Sequence, residues 1–184
     1  MFIQTESTPN PQTMKFLPGR DVMGTGARDF ADREAAKASP LAQAIFAVPE
    51  VERVFLGADF ITVTKTAGEW QHLKPQILGA IMDHFTRGLP VMAVADAGAD
   101  THESAGDDSE IVIQIKELLD TRIRPAVAQD GGDILYHGFD EGSGTVFLKM
   151  RGACAGCPSS TMTLKNGIEN MLRHYVPEVN AVEA

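Results

Sequence analysis

Two cysteines, Cys154 and Cys157, are the only thiols in a chain of 184 residues, and they stand together in Arg151-Gly152-Ala153-Cys154-Ala155-Gly156-Cys157-Pro158. Thiolates at Cys-x-x-Cys spacing do one of two kinds of chemistry. They exchange electrons as a dithiol–disulfide couple, or they hold a thiophilic metal. A tetrahedral iron or zinc centre built on sulfur takes four ligands. One chain supplies two, so a metal site needs a second copy, and a two-fold dimer supplies the missing pair by symmetry. The ligand count favours such a shared site and fits iron as well as zinc. A redox dithiol, with Cys154 as nucleophile and Cys157 as resolving thiol, is the competing chemistry.

The surroundings of the pair suit thiolates. A helix starting near Pro158 to Ser160 aims its unpaired N–H groups and positive end at the sulfurs. Gly152 and Gly156 carry no Cβ, so backbone amides can approach metal-bound sulfide and hydrogen-bond to it. On a loop, the two cysteines are expected to pack little core. Asp130-Gly131-Gly132-Asp133 reads as a tight helix-to-strand turn with the aspartates capping it. Arg122 and Arg124 read as a solvated helix end. His72, His84, His102, His137 and His174 show no pairing at ligand spacing and are read as surface or packing residues.

Positioning such a loop requires a small sheet backed by helices. In the C-terminal part, Ile111, Ile115, Leu118, Leu119 and Ile123 share one face of a helix running to about Pro125 or a turn beyond. Two strands follow, near 134–139 and 145–150, joined through Glu141-Gly142-Ser143-Gly144. After the cysteine loop comes a helix with Leu164, Ile168, Met171, Leu172 and Tyr175 inward, and 179–182 adds an edge strand. In the N-terminal part, 2–6 and 13–17 read as strands around Ser7-Thr8-Pro9-Asn10-Pro11, and Ser39-Pro40 as the cap and first residue of a short helix. Residues 51–56 and 60–65 form a hairpin about Gly57-Ala58-Asp59. A helix over 73–87 holds Pro75 in its first turn and ends at Gly88. Gly24-Thr25-Gly26 is a surface loop. Each half thus runs hairpin then helix, but only the second carries cysteines.

The fold class is α+β: two small sandwich-like domains, each a small sheet packed on helices, joined by an acidic flexible linker. The linker is the segment 96–110, with six acidic residues and no Lys or Arg. Low hydrophobicity and uncompensated charge cannot offset the entropy of ordering it. A net charge of −9 gives no basic footprint for nucleic acid. No apolar run is long enough to span a membrane. Residues 1–6 lack the basic flank and apolar core of a secretory signal or transit peptide. Two close cysteines without others point to a reducing compartment. The oxidoreductase alternative meets a topological obstacle: 27 residues follow Cys157 in the 184-residue chain, room for one helix and a short strand, whereas a thioredoxin-like domain needs several more elements.

Several ordered motifs share one pattern. In the first half they are Met1-Phe2-Ile3-Gln4-Thr5, Thr8-Pro9-Asn10-Pro11, Lys15-Phe16-Leu17-Pro18-Gly19 and the stretch 57–65. In the second they are Arg122-Ile123-Arg124-Pro125, Asp130-Gly131-Gly132-Asp133 and Gly152-Ala153-Cys154-Ala155-Gly156-Cys157-Pro158-Ser159-Ser160. Together they resemble the Nfu-type iron-sulfur scaffold and carrier proteins, whose C-terminal half is related to the last domain of NifU. The resemblance runs along nearly the whole chain. It implies an Nfu-type N-terminal domain over 1–95, a linker over 96–109 and a cluster-binding domain over 110–184. It also implies a carrier, not an enzyme, that is a homodimer when loaded. Cys154 and Cys157 of both copies would hold a [4Fe-4S] cluster, or in the smaller case [2Fe-2S], received from upstream assembly proteins and passed to apo iron-sulfur clients. The implied location is a bacterial cytoplasm, or the mitochondrial matrix for a processed eukaryotic form.

Overall fold

The structure, a computed structural model, describes residues 1–93, 100–103, 106, 108–155 and 158–184, with 158–160 described by backbone alone. It divides into two compact units, Met1–Asp100 and Thr101–Ala184.

The first unit is a five-stranded antiparallel sheet backed by helices. Its strands are β1 (Gln4–Ser7), β2 (Thr13–Leu17), β3 (Arg28–Phe30), β4 (Val51–Leu56) and β5 (Ile61–Lys65), in the order β1-β2-β5-β4-β3. Phe16, Val54, Leu56, Ile61 and Val63 share one core with Leu41 and Ile45 of α1 (Pro40–Phe46) and with Leu73, Ile77 and Ile81 of α2 (Trp70–Thr86). Ser39 caps α1 as expected: its Oγ accepts from Ala42 N at 3.0 Å and donates to Val91 O. The segment before β3 is a loop, with Gly24 and Gly26 at φ 71 and 81, where only glycine is unstrained. β3 itself was too short to show a period. Its place is fixed by Phe30, 1% exposed, and by Asp29, which takes a bidentate pair from Arg53.

α2 starts three residues earlier than the apolar spacing suggests. Trp70 Nε1 donates to Pro11 O at 3.1 Å, a tertiary anchor that periodicity does not reveal. Pro75 therefore lies inside the helix and forfeits the bond its missing N–H would give. Near the other end, His84 is buried, 2% exposed, with neither ring nitrogen in hydrogen-bonding geometry. Burial holds its pKa below 6.5, only partly offset by the Leu89 backbone and the Asp83 charge. The unfolded chain therefore binds a proton at His84 more readily than the folded one. This contribution to stability is complete above about pH 6.5 and falls as the pH drops below it. The single tryptophan, Trp70, reports on this unit. Its fluorescence melting midpoint should decline on going from about pH 7.5 to 5.5, and His84→Leu should flatten that decline. A variant profile with the wild-type slope would show that other groups cause it.

The second unit contains α3 (Glu110–Leu118), a π-helical turn (Leu119–Ile123), α4 (Arg124–Gln129), β6 (Gly132–Asp140), β7 (Thr145–Gly152), α5 (Pro158–Tyr175) and β8 (Ala181–Glu183). β7 is the central strand, antiparallel to β6 and parallel to β8. Ile115, Leu119, Ile123, Ile168 and Leu172 pack with Ile134, Tyr136, Val146 and Leu148 as one core. The helix read as running a turn past Pro125 is continuous over Glu110–Gln129, with the π turn set between α3 and α4. Ser109 caps α3, its Oγ accepting from Val112 N.

Of the acidic segment, residues 96–99, 104, 105 and 107 lie outside the described residues. Asp100, His102, Glu103, Asp108 and Ser109 make bonds within the units they belong to. Asp100 N donates to Ala27 O at 3.0 Å, next to β3. In the second unit, Glu103 N donates to Tyr136 O at 3.0 Å, and Tyr136 N donates to His102 Nδ1 at 2.8 Å. Glu103 also pairs with His137, and Asp108 with Lys116, whose ammonium lies over the Tyr136 ring. Among the described residues, no helix is long and apolar enough to cross a membrane.

Candidate metal centre

The cysteine loop joins the end of β7 to the start of α5. Gly152 closes β7 at φ 61, a left-handed conformation suited to glycine, and Ala155 N donates back to Gly152 O at 3.1 Å. Ala153 N donates to Gly131 O at 3.1 Å, stitching the loop to the turn before β6. Thr161 of α5 donates its hydroxyl to Cys154 O at 3.1 Å. The loop thus carries hydrogen bonds to β7, to the Gly131–Gly132 turn and to α5.

Cys154 differs from expectation. It is 7% exposed and belongs to the core of the second unit, so its sulfur is packed in place of standing free on a loop. The close approach of Gly132 makes room for it: a Cβ at position 132 would stand 2.3 Å from Sγ. Two glycines in the turn, read as chain-reversal residues, therefore also serve the sulfur's seat. Cys157 and Gly156 lie outside the described residues; α5 begins at Pro158, where the sequence places a helix start. Among the described residues, no group of three or more His, Cys, Asp or Glu side chains is arranged to hold a metal ion.

The flanking charges form a network that the sequence reading did not assemble. Asp133 is 5% exposed and sits opposite Arg151, 1% exposed, in the β6–β7 ladder. Its Oδ2 accepts from Arg151 Nη2. Arg124, the first residue of α4, grips the same carboxylate from the other side, with Nε 2.8 Å from Oδ1 and Nη2 3.2 Å from Oδ2. Arg124 also reaches Asp120 at 2.9 Å, and Asp120 accepts from His102 Nε2 at 2.8 Å. Because His102 Nδ1 accepts from Tyr136 N, the ring proton sits on Nε2 and points to Asp120.

Asp133 is thus a buried ion-pair partner, not a turn cap, and Arg124 is a bonded side chain, not a solvated helix end. Burial works against the charge of both Arg124 and Asp120. The bonds that Arg124 donates to Asp133 and Asp120, and the one that His102 donates to Asp120, outweigh it, so Arg124 is held above and Asp120 below its ordinary pKa. The i,i+4 spacing of Asp120 and Arg124 was the one local signal of this network. Asp133 and Arg151 meet only through strand register.

Comparison with known proteins finds two family matches along the chain. Residues 3–88 match the family model described as "Scaffold protein Nfu/NifU N terminal", and residues 115–183 match "NifU-like domain". The chain belongs to the Nfu-type family. Among full-chain relatives, it is 55% identical over 185 residues to "NFU1 iron-sulfur cluster scaffold homolog, mitochondrial" of Drosophila sechellia. It is 56% identical over 186 residues to "NifU-like protein 4, mitochondrial" and 56% over 188 residues to "NifU-like protein 5, mitochondrial", both of Arabidopsis thaliana. Each alignment covers all of this chain but only 64%, 65% and 67% of the respective relative, so the chain spans about two thirds of their length. Cys154 and Cys157 both lie inside the second matched stretch.

Proposed function

We propose that this Nfu-type protein is an iron-sulfur cluster carrier. Cys154 and Cys157 of two copies hold one [4Fe-4S] cluster on a two-fold axis, and the protein gives that cluster to apo iron-sulfur proteins. The observation that carries this is the pairing of a ligand count with a family: two thiols in the whole chain, both in the sequence between β7 and α5 and inside the stretch that matches the NifU-like domain. Metal and cluster sites of this kind take four thiolates, so two per chain leave a cluster half-ligated until a second copy arrives. The cluster is cargo, and no bond of a substrate is made or broken by a side chain acting as catalyst. Being completed only by association, the site is also easier to empty than one holding four ligands in a single chain. A partner that separates the loops or offers better-placed thiolates removes the cluster.

The match of residues 115–183, which include both cysteines, to the NifU-like domain supports a carrier over a thiol-disulfide oxidoreductase. A reducing compartment keeps both thiols available as ligands. The mitochondrial designation of the relatives fits that requirement, as a bacterial cytoplasm does.

Anaerobic reconstitution with ferrous iron and sulfide, read by visible and Mössbauer spectra, is the direct test. A [4Fe-4S] signature with one cluster per two chains is the expected result. Zinc bound to the same cysteines with no iron-sulfide uptake would replace carrier function by a structural bridge. Loading should also convert monomer to dimer, a change that sedimentation of apo and loaded protein records. A full cluster on a chain of unchanged monomeric mass would show that the other ligands come from elsewhere, such as glutathione.

A further inference from the structure

We propose that Asp133, clamped between Arg151 and Arg124, is the positioning residue that sets where Cys154 presents its sulfur; this rests on Cys154 being a cluster ligand. The clamp sits where the loop leaves the sheet. The last rung of the β6–β7 ladder pairs Gly132 with Gly152, two residues without side chains. The next rung pairs Asp133 with Arg151. The Asp133–Arg151 ion pair is therefore the nearest side-chain contact across the hairpin at the point where β7 gives way to Cys154. Gly132 backs the sulfur directly, and Gly131 O holds the Ala153 amide. A shift of Asp133 moves Gly132 with it, and so moves the surface on which Sγ rests.

Arg124 adds the third element. The π turn Leu119–Ile123 delivers it to the start of α4, where its fork is bidentate to Asp133. Burying these charges is expensive, and an apolar cross-strand pair of the same volume is often at least as stabilising. Buried, hydrogen-bonded charges do fix geometry, because a bidentate guanidinium–carboxylate bond is strongly directional. A site shared by two copies needs that precision, since an error in one loop is doubled by the two-fold axis.

The test compares Asp133→Asn, Arg151→Met and Arg151→Lys with wild type in the full-length chain. In the apo proteins, hydrogen exchange at the Ala153 amide reports the loop without any metal. It should speed up about tenfold in Asp133→Asn and Arg151→Met, and stay within about threefold of wild type in Arg151→Lys. After reconstitution, Asp133→Asn and Arg151→Met should lose cluster to a chelator about tenfold faster, with altered Mössbauer parameters, and Arg151→Lys should restore both. Wild-type exchange, lability and spectra in Asp133→Asn and Arg151→Met would overturn the positioning role. Should Asp133→Asn fail to fold, the two Arg151 variants decide the matter by the same readouts. If wild type itself takes up no iron and sulfide, carrier function fails separately, and the exchange data still report whether the clamp orders the loop.

Discussion

Replacing either Cys154 or Cys157 with alanine should abolish cluster loading, because in the proposed two-fold site each change removes two of the four thiolates at once. Iron and acid-labile sulfide should fall to background in both variants, and the loaded dimer should not form. The Cys154 variant should also lose some stability. Cys154 belongs to the core of the second unit and is 7% exposed, so truncating it leaves a small void worth about 1 kcal/mol. A modest drop in the melting midpoint of Cys154→Ala is therefore expected and does not itself explain lost loading. Cys154→Ser, closer in volume, separates packing from ligation: it should recover part of the melting midpoint and none of the cluster. Normal iron and sulfide in either alanine variant would rule out a shared four-thiolate site.

Much of this site could be read from residues alone, and what could not has a common cause. The cysteines, the helix start at Pro158 and the turn at Gly131-Gly132 are local signals, legible because spacing and residue type suffice. The strands β2, β4, β5, β6 and β7 and the helices α1, α3 and α5 show as runs or periods, and the two-domain α+β plan follows from their order. Asp133 is different. Its partner Arg151 is 18 residues away and faces it only because the β6–β7 register, with its irregularity between Tyr136 and Gly138, brings them level. A one-residue slip would place the two charges on opposite faces. Arg124 reaches the same carboxylate only because the π turn rotates the helix that a plain 3.6-residue period extends unchanged.

His102 makes the same point from the acidic segment. Composition marks 96–110 as too polar to order itself. Composition does not register that a single side chain can borrow order from a neighbouring strand. Tyr136 N and O, on the edge strand β6, bond to His102 and Glu103, so part of a segment read as linker is docked against the sheet. Single-residue docking of this kind leaves no trace in hydropathy.

A fragment spanning Thr101–Ala184 should assemble the cluster as the full chain does, yet deliver it more slowly. Both cysteines and the whole clamp of Asp133, Arg124 and Arg151 lie in this unit, which has its own core. Starting at Thr101 instead of at Ser109 matters, because the shorter piece loses His102 and Glu103 and uncovers the backbone at Tyr136 and the carboxylate of Asp120. Each hydrogen bond given up to water costs about 0.5 to 1.5 kcal/mol net, so the piece from Ser109 should melt lower. In the full chain, the Nfu-type N-terminal unit has no cysteine, and a docking role gives it a function that needs none. Covalent connection holds it near the cluster at an effective concentration that can reach the millimolar range, so a client engaged by one unit meets the other without a second diffusional search. Removing it should slow transfer to a physiological apoprotein by about tenfold or more at low client concentration. The difference should shrink as the client is raised, because encounter then ceases to limit the rate. Stopped-flow transfer from full chain and fragment to the same acceptor, across a concentration series, measures both effects. Equal rates with several acceptors at low concentration would remove the docking role from the N-terminal unit, and loss of cluster from the fragment would make that unit part of the site itself.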